Sequence, residues 1–232
     1  MNALLESPVL RTIAPLSLAG YARFRQVIDS DGALPARIKA LCVAVAATTK
    51  SYPEMARREL ARAQSLGLTR EEASSAAIIL CSVRGEGAAL RFVELLEKEY
   101  GGGAPAPDVA PVDISIGPTE ARDNFLAYFG TMPPSLGKLV DHLPVAADAY
   151  YLMRQGTLGA TAIGTKYAEL LLVAVIAADY SPLVAVHAKG AITAGATELE
   201  LYEAILCAVP TSGLSAWVAA SNAIDAAVAS DG

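Results

Sequence analysis

The chain has 232 residues, 53% of them hydrophobic and 18% charged, with a formal net charge of −6. That length allows one large domain or two of about 100 to 120 residues, with a core that needs no disulfide or metal staples. The acidic balance and the lack of any Lys/Arg run exclude a nucleic-acid or anionic-membrane partner, and the low charge leaves apolar helix surface for a partner subunit.

The first twenty residues lack a basic start and a continuous apolar stretch, so no secretory signal is expected. The longest apolar run, Leu170 to Ala178, is too short to span a bilayer, and a cytoplasmic location is the default expectation. Apolar spacing predicts a lead-in helix over 17–29 and a very apolar helix over 35–49. After a Tyr52/Pro53 break, a helix rich in small residues runs over 54–66. Thr69 and Glu72 have the capping-box spacing, in which each side chain satisfies the other's orphan backbone N–H, and they open the next helix. A helix over 88–99 completes this set.

Residues 100–118, YGGGAPAPDVAPVDISIGP, are rich in glycine and proline and read as a linker. Beyond it the succession recurs, with helices over 134–156, 163–178 and 182–194, a capping box at Thr197/Glu200 and a helix over 213–229. Glu198, Glu200 and Glu203 read as solvated residues of a polar first turn. No period-two strand pattern competes with the helical one, so the fold class is all-α. The expected organisation is a first unit over 1–99, the linker over 100–118 and a second unit over 119–232.

The two sets align as a repeat. YPEMARRELARAQSLGLT from Tyr52 meets YSPLVAVHAKGAITAGAT from Tyr180 without a gap, at an offset of 128 residues. YARFRQ (Tyr21 to Gln26) meets YYLMRQ (Tyr150 to Gln155) at 129, where Ala40 also meets Glu169, and Cys81 and Gly87 meet Cys207 and Gly213 at 126. The halves differ where it matters chemically: His187 faces Glu59, and Glu169 faces Ala40.

His187 shares a helix face with Gly190, Ala191 and Ala194, so little side-chain bulk lies beside the imidazole. This fits either a close helix contact with a packed histidine or a pocket for a small ligand, where histidine is suited to proton transfer near neutral pH. Glu169 heads an apolar stripe through Leu172, Val173 and Ile176. It can be a desolvated acid/base partner or a solvated residue favouring the helix dipole. Tyr180 and Ser181 lie at the helix break, and Arg84 opens a glycine-rich turn where it could hold a substrate carboxylate. Packing and an ordinary surface loop are the competing readings for these three. His142 follows Asp141 on an amphipathic helix and reads as exposed. Two histidines without a ligand-spaced carboxylate pair argue against a metal, and the three cysteines, with no CxxC, read as buried small hydrophobes.

KYAELLLVAVIAADYSPLVAVHAKGAITAGATELELYEAI, preceded by GTMPPSLGKLVDHLPVAADAYYLM, resembles the carboxymuconolactone decarboxylase and alkylhydroperoxidase D group. LPARIKALCVAVAA through GLTREEA is a degenerate version of the same unit. The resemblance implies a tandem all-α pseudo-dimer. It places the family's histidine on His187 and its glutamate on Glu169, to within one residue. The peroxidase branch's CxxC falls on Tyr180 and Leu183, so the dithiol that thiol peroxidase chemistry needs is missing. The decarboxylase branch works without it, using acid/base groups on a small carboxylated lactone or similar enolisable substrate. Family members are typically homo-oligomers, hexamers or trimers of dimers, so the expectation here is a trimer of tandem chains.

The leading expectation is a lyase- or isomerase-type enzyme without cofactor or metal, acting on a small-molecule substrate. His187 and Glu169 would be its catalytic pair, and Tyr180, Ser181 and Arg84 its substrate-binding residues. The alternatives are a catalytically silent ligand-binding or assembly protein on the same scaffold, and a hydroperoxide reductase.

Overall fold

The computed structural model describes residues 3–102 and 114–230. The centre of the predicted linker, 103–113, lies outside them. Every described element is a helix. Helices α1 (Ala3–Glu6), α2 (Pro8–Ile13) and α3 (Pro15–Asp29) lead into α4 (Ala36–Thr49), followed by α5 (Pro53–Ser65), α6 (Arg70–Arg84) and α7 (Glu86–Tyr100). Then come α8 (Glu120–Phe129), α9 (Pro134–His142), α10 (Pro144–Gly159), α11 (Thr165–Ala178) and α12 (Val184–Thr193). The chain closes with α13 (Glu198–Leu206), α14 (Val209–Ser212) and α15 (Leu214–Ser230). No helix of the described residues is long and apolar enough to cross a membrane.

Helices α4 and α11 pack against each other and form the centre. Both are alanine-rich and apolar on every side, a pattern that belongs to a helix buried all round. Residues Ile38 to Thr49 of α4 and Ala168 to Ala178 of α11 are all buried. Helices α5, α6 and α7 cover α4, while α12, α13 and α15 cover α11. A smaller cluster, built on Phe125, Ala121 and Ala147, joins α8, α9 and α10.

Local geometry repeats along the chain. Pro15 and Pro144 open α3 and α10, and the preceding Ala14 and Leu143 share an unusual backbone (φ −141°, ψ 49° and φ −138°, ψ 63°). Both capping boxes form, at Thr69/Glu72 and Thr197/Glu200. Ser51 and Tyr180, one residue beyond the caps of α4 and α11, are the two non-glycine residues with positive φ among those described. Gly85 (φ 78°) and Gly213 (φ 73°) cap α6 and α14 in this left-handed region, where a β-carbon is disfavoured. They therefore correspond at 128, and the 126-residue register that set Gly87 against Gly213 is corrected.

Two other expectations change. The helix expected over 134–156 is two helices, α9 and α10, because Pro144 has no N–H to donate and holds Leu143 off the helical region. Glu200, which pairs with Lys166 at 2.8 Å, is buried rather than solvated, and so is Glu203. The Glu203 carboxylate accepts from the N–H groups of Ala33 (3.1 Å) and Leu34 (2.9 Å) and from Lys39 Nζ (3.0 Å), tying α13 to the loop before α4. Gly32 leaves room for it, since a β-carbon there would stand 2.3 Å from Glu203 Oε1.

Candidate active site

Glu169 lies in the second turn of α11, five residues past Gly164, whose φ of 80° starts the helix. Its side chain is 2% exposed and points at α12, where His187 sits one turn from the start. His187 Nδ1 lies 2.8 Å from Glu169 Oε2. The other carboxylate oxygen, Oε1, accepts from the Tyr128 hydroxyl of α8 at 2.9 Å. An ionised carboxylate only accepts, so in this contact Nδ1 is the donor. Burial pushes the Tyr128 phenol well above its ordinary value, and the Glu169 charge adds to this, so Tyr128 stays protonated and holds the carboxylate.

Gly190 makes this arrangement possible. A β-carbon at that position would stand 2.5 Å from Glu169 Oε1 and 2.7 Å from the Tyr128 hydroxyl. The buried carboxylate crosses α12 where a side chain would otherwise be.

Two adjoining cavities surround the triad. The larger, about 880 Å³, opens between α8, α10, α11 and α12 and is lined by Tyr128, Arg154, Glu169, Lys189 and Gly190 among others. The smaller, about 160 Å³, is lined by His187 and Leu183 and reaches Val83 of α6. Tyr128, Phe129, Arg154, Leu158 and Val186 line both. Glu169 faces the larger cavity, His187 the smaller, and Arg154 both.

Of the residues singled out from the sequence, Glu169 and His187 come together here. The other three line neither cavity. Arg84 pairs with Asp179 at 2.9 Å, beside the Lys50–Asp179 bridge that joins the ends of α4 and α11. The Tyr180 hydroxyl donates to the Ser212 carbonyl at 2.6 Å, and the Ser181 hydroxyl accepts from Leu183 N–H at 3.3 Å where α12 begins. His142 is exposed. Cys42 and Cys207 are fully buried, and burial pushes the Cys207 thiol far up, as does its contact with Cys42. No cysteine lines the cleft.

Tyr128 and Arg154 were missed. Helix α8 follows the linker, and no repeat partner marks it in the sequence. Arg154 did carry a signal, for it stands in YYLMRQ opposite Arg25 in YARFRQ.

In the first half the aligned positions form a closed ion cluster. Glu59, 1% exposed, accepts from Arg25 Nη2 (2.9 Å), Arg58 Nη2 (3.0 Å) and Arg62 Nε (2.9 Å). Burial works to raise its pKa, but the charges of Arg25 and Arg62 outweigh that, and the carboxyl is held below its ordinary 4.5.

The model of the carboxymuconolactone decarboxylase family matches residues 144–226, a span that carries Arg154, Glu169, His187 and Gly190. The chain is also similar to a solved structure from Burkholderia xenovorans LB400, a protein provisionally described as a gamma-carboxymuconolactone decarboxylase subunit. The two are 26% identical with a TM-score of 0.60, over 97% of this chain and 92% of that one. No curated protein matches the chain. The matched span contains α10 to α14 and most of α15, while Tyr128 reaches the cleft from outside it.

Proposed function

We propose that the chain is a carboxymuconolactone decarboxylase-like enzyme that uses acid/base, non-redox chemistry of lyase or isomerase type. Its substrate would be a small carboxylated or enolisable molecule such as a lactone. The carrying observation is the 2.8 Å contact between His187 Nδ1 and a Glu169 carboxylate that is 2% exposed, at the wall of an open cleft. Glu169 orients the ring and stabilises the imidazolium when Nε2 takes a proton. Nε2 then exchanges a proton with the carbon next to a carbonyl. In a decarboxylation, the electron pair left by departing carbon dioxide forms an enolate, and the imidazolium returns a proton to that carbon. Tyr128 holds the other carboxylate oxygen and acts as a positioning residue. We read the second unit as the working half and the first as scaffold.

The test is turnover of gamma-carboxymuconolactone and related lactone carboxylates, followed by carbon dioxide release and by solvent deuterium entering the product. His187→Ala and Glu169→Gln should each lower kcat by about 10²- to 10⁴-fold, the range for a positioned acid/base group. Unchanged turnover of every accepted substrate in both variants would rule the reading out.

A further inference from the structure

We infer, resting on the reading of this cleft as a substrate site, that Arg154 binds the ligand's carboxylate. The cleft then takes a small organic anion whose carboxylate survives the reaction. Helices α3 and α10 run in register at an offset of 129 residues and open with the same proline and cap geometry. Arg25 and Arg154 occupy the same place on them. Arg25 is clamped by two carboxylates, Asp29 at 2.6 Å and Glu59 at 2.9 Å. The residues aligned with those two are Leu158 and His187. The second half has kept the guanidinium and lost both of its counter-charges, and it has a cavity beside the group.

The groups that hold Arg154 are neutral: Asn124 and Tyr128, whose hydroxyl also hydrogen-bonds it. Its guanidinium carbon lies 3.4 Å from the Tyr128 ring centroid, so one face is stacked, and Nη1 donates to Asn124 Oδ1 at 2.7 Å. It makes no ion pair among the described residues, and it lines both cavities. Stacking fixes the plane of a guanidinium and directs its in-plane N–H groups, the geometry that receives a carboxylate on two donors. The same Tyr128 that stacks on Arg154 holds Glu169, so a carboxylate on Arg154 places the rest of a small molecule beside the His187–Glu169 pair. A guanidinium lowers the energy of the charge it binds. If that charge left as carbon dioxide, the contact would favour substrate over transition state and slow the reaction. The bound carboxylate is therefore the retained one.

The experiment titrates the purified full-length protein with 5-oxotetrahydrofuran-2-carboxylate and with its uncharged methyl ester, reading the Gly190 backbone amide by NMR. The wild type should bind the acid at least about tenfold more tightly than the ester, as expected for a charge-assisted contact. Arg154→Gln should abolish that preference, and Arg154→Lys, which keeps the charge without the fork, should reduce it several-fold. Leu158→Asp supplies a rival carboxylate one turn from Arg154, as Asp29 does for Arg25, and should also remove the preference; it serves as a second variant if R154Q does not fold. His187→Ala should keep the preference, so failure of the acid/base reading and failure of this one are separately visible. A wild type without preference for the acid, or a preference that survives both R154Q and L158D, overturns the inference.

Discussion

Replacing Gly190 with alanine adds one methyl group and tests the geometry of the whole triad. The added carbon would lie 2.5 Å from Glu169 Oε1, 2.7 Å from its carboxyl carbon and 2.7 Å from the Tyr128 hydroxyl, whereas ordinary contact begins at 3.4 Å. Something must move by about 0.9 Å. Glu169 is 2% exposed, and α11 around it is buried, so the carboxylate has little freedom except away from α12. Such a shift stretches the 2.8 Å contact with His187 past hydrogen-bonding range. Overpacking costs about 1–3 kcal/mol, and losing a hydrogen bond to a charged group about 1.5–3 kcal/mol. The better helix propensity of alanine returns up to about 1 kcal/mol. The net loss is about 1.5–5 kcal/mol, or roughly 3–20 °C in Tm for a chain of this size. Gly20 of α3 has no atom within 4 Å of its virtual β-carbon, and Gly20→Ala should instead gain up to about 1 kcal/mol. Thermal unfolding of the two variants beside the wild type, with turnover measured on each, gives opposite signs if the geometry is right. A G190A protein that melts within about 2 °C of wild type and turns over normally would refute the close approach of Glu169 to α12.

Two further outcomes follow from buried charge. Glu203→Gln keeps the shape of the side chain but leaves Lys39, 1% exposed, without its counter-charge, and should cost about 3–5 kcal/mol in urea unfolding; a loss below about 1 kcal/mol would mean the pair is solvated. Glu59 and Glu203 both have carboxyl groups held below the ordinary 4.5: burial opposes this, but Arg25 and Arg62 outweigh it at Glu59, and the Leu34 N–H and Lys39 do so at Glu203. Their contribution is full above pH 4.5 and is lost as pH falls through the lower folded values. Tm should therefore be level from about pH 5 to 7 and fall below that window, less steeply in Glu59→Gln; a Tm that holds as pH falls well below 4.5 would contradict the cluster's charge state.

The central helices were legible because they are apolar on every side, and the capping boxes because two side chains three residues apart define them. Glu169 and His187 were legible because they break the match between the halves. What was not legible depends on contacts between elements. Nothing in ELELYE distinguishes Glu203, which is buried on Lys39, from Glu198, whose Oε1 accepts from the Tyr202 hydroxyl. Tyr180 and Ser181 looked like ligand contacts because they sit at a break. Breaks also leave backbone carbonyls and N–H groups to satisfy, and these two hydroxyls do that. Arg84 was read from its turn alone, and its partner Asp179 is 95 residues away.

The buried carboxylates Glu59 and Glu169 come from helices at different positions of the sequence alignment, α5 and α11. Glu59 of α5 accepts from Arg62, three residues on, at 2.9 Å, and Ala40 of α4 is the residue aligned with Glu169. In the second half the carboxylate comes from α11 as Glu169, in the position of Ala40. The helix that faces it must then give up bulk, and Gly190 stands where the alignment places Arg62. With the carboxylate moved, the position of Glu59 is open to a histidine, and Arg154 has no acid to close on. Installing the aligned first-half residue at Glu169, His187 or Gly190 alone would leave a buried charge unpaired or two groups in collision, at a cost of several kcal/mol. Restoring the first half's solution therefore requires Glu169→Ala, His187→Glu, Leu158→Asp and Gly190→Arg together. Where the first half closes Arg25 on Asp29 and Glu59, the second pairs Glu169 with His187 and leaves Arg154 on neutral partners beside a cavity.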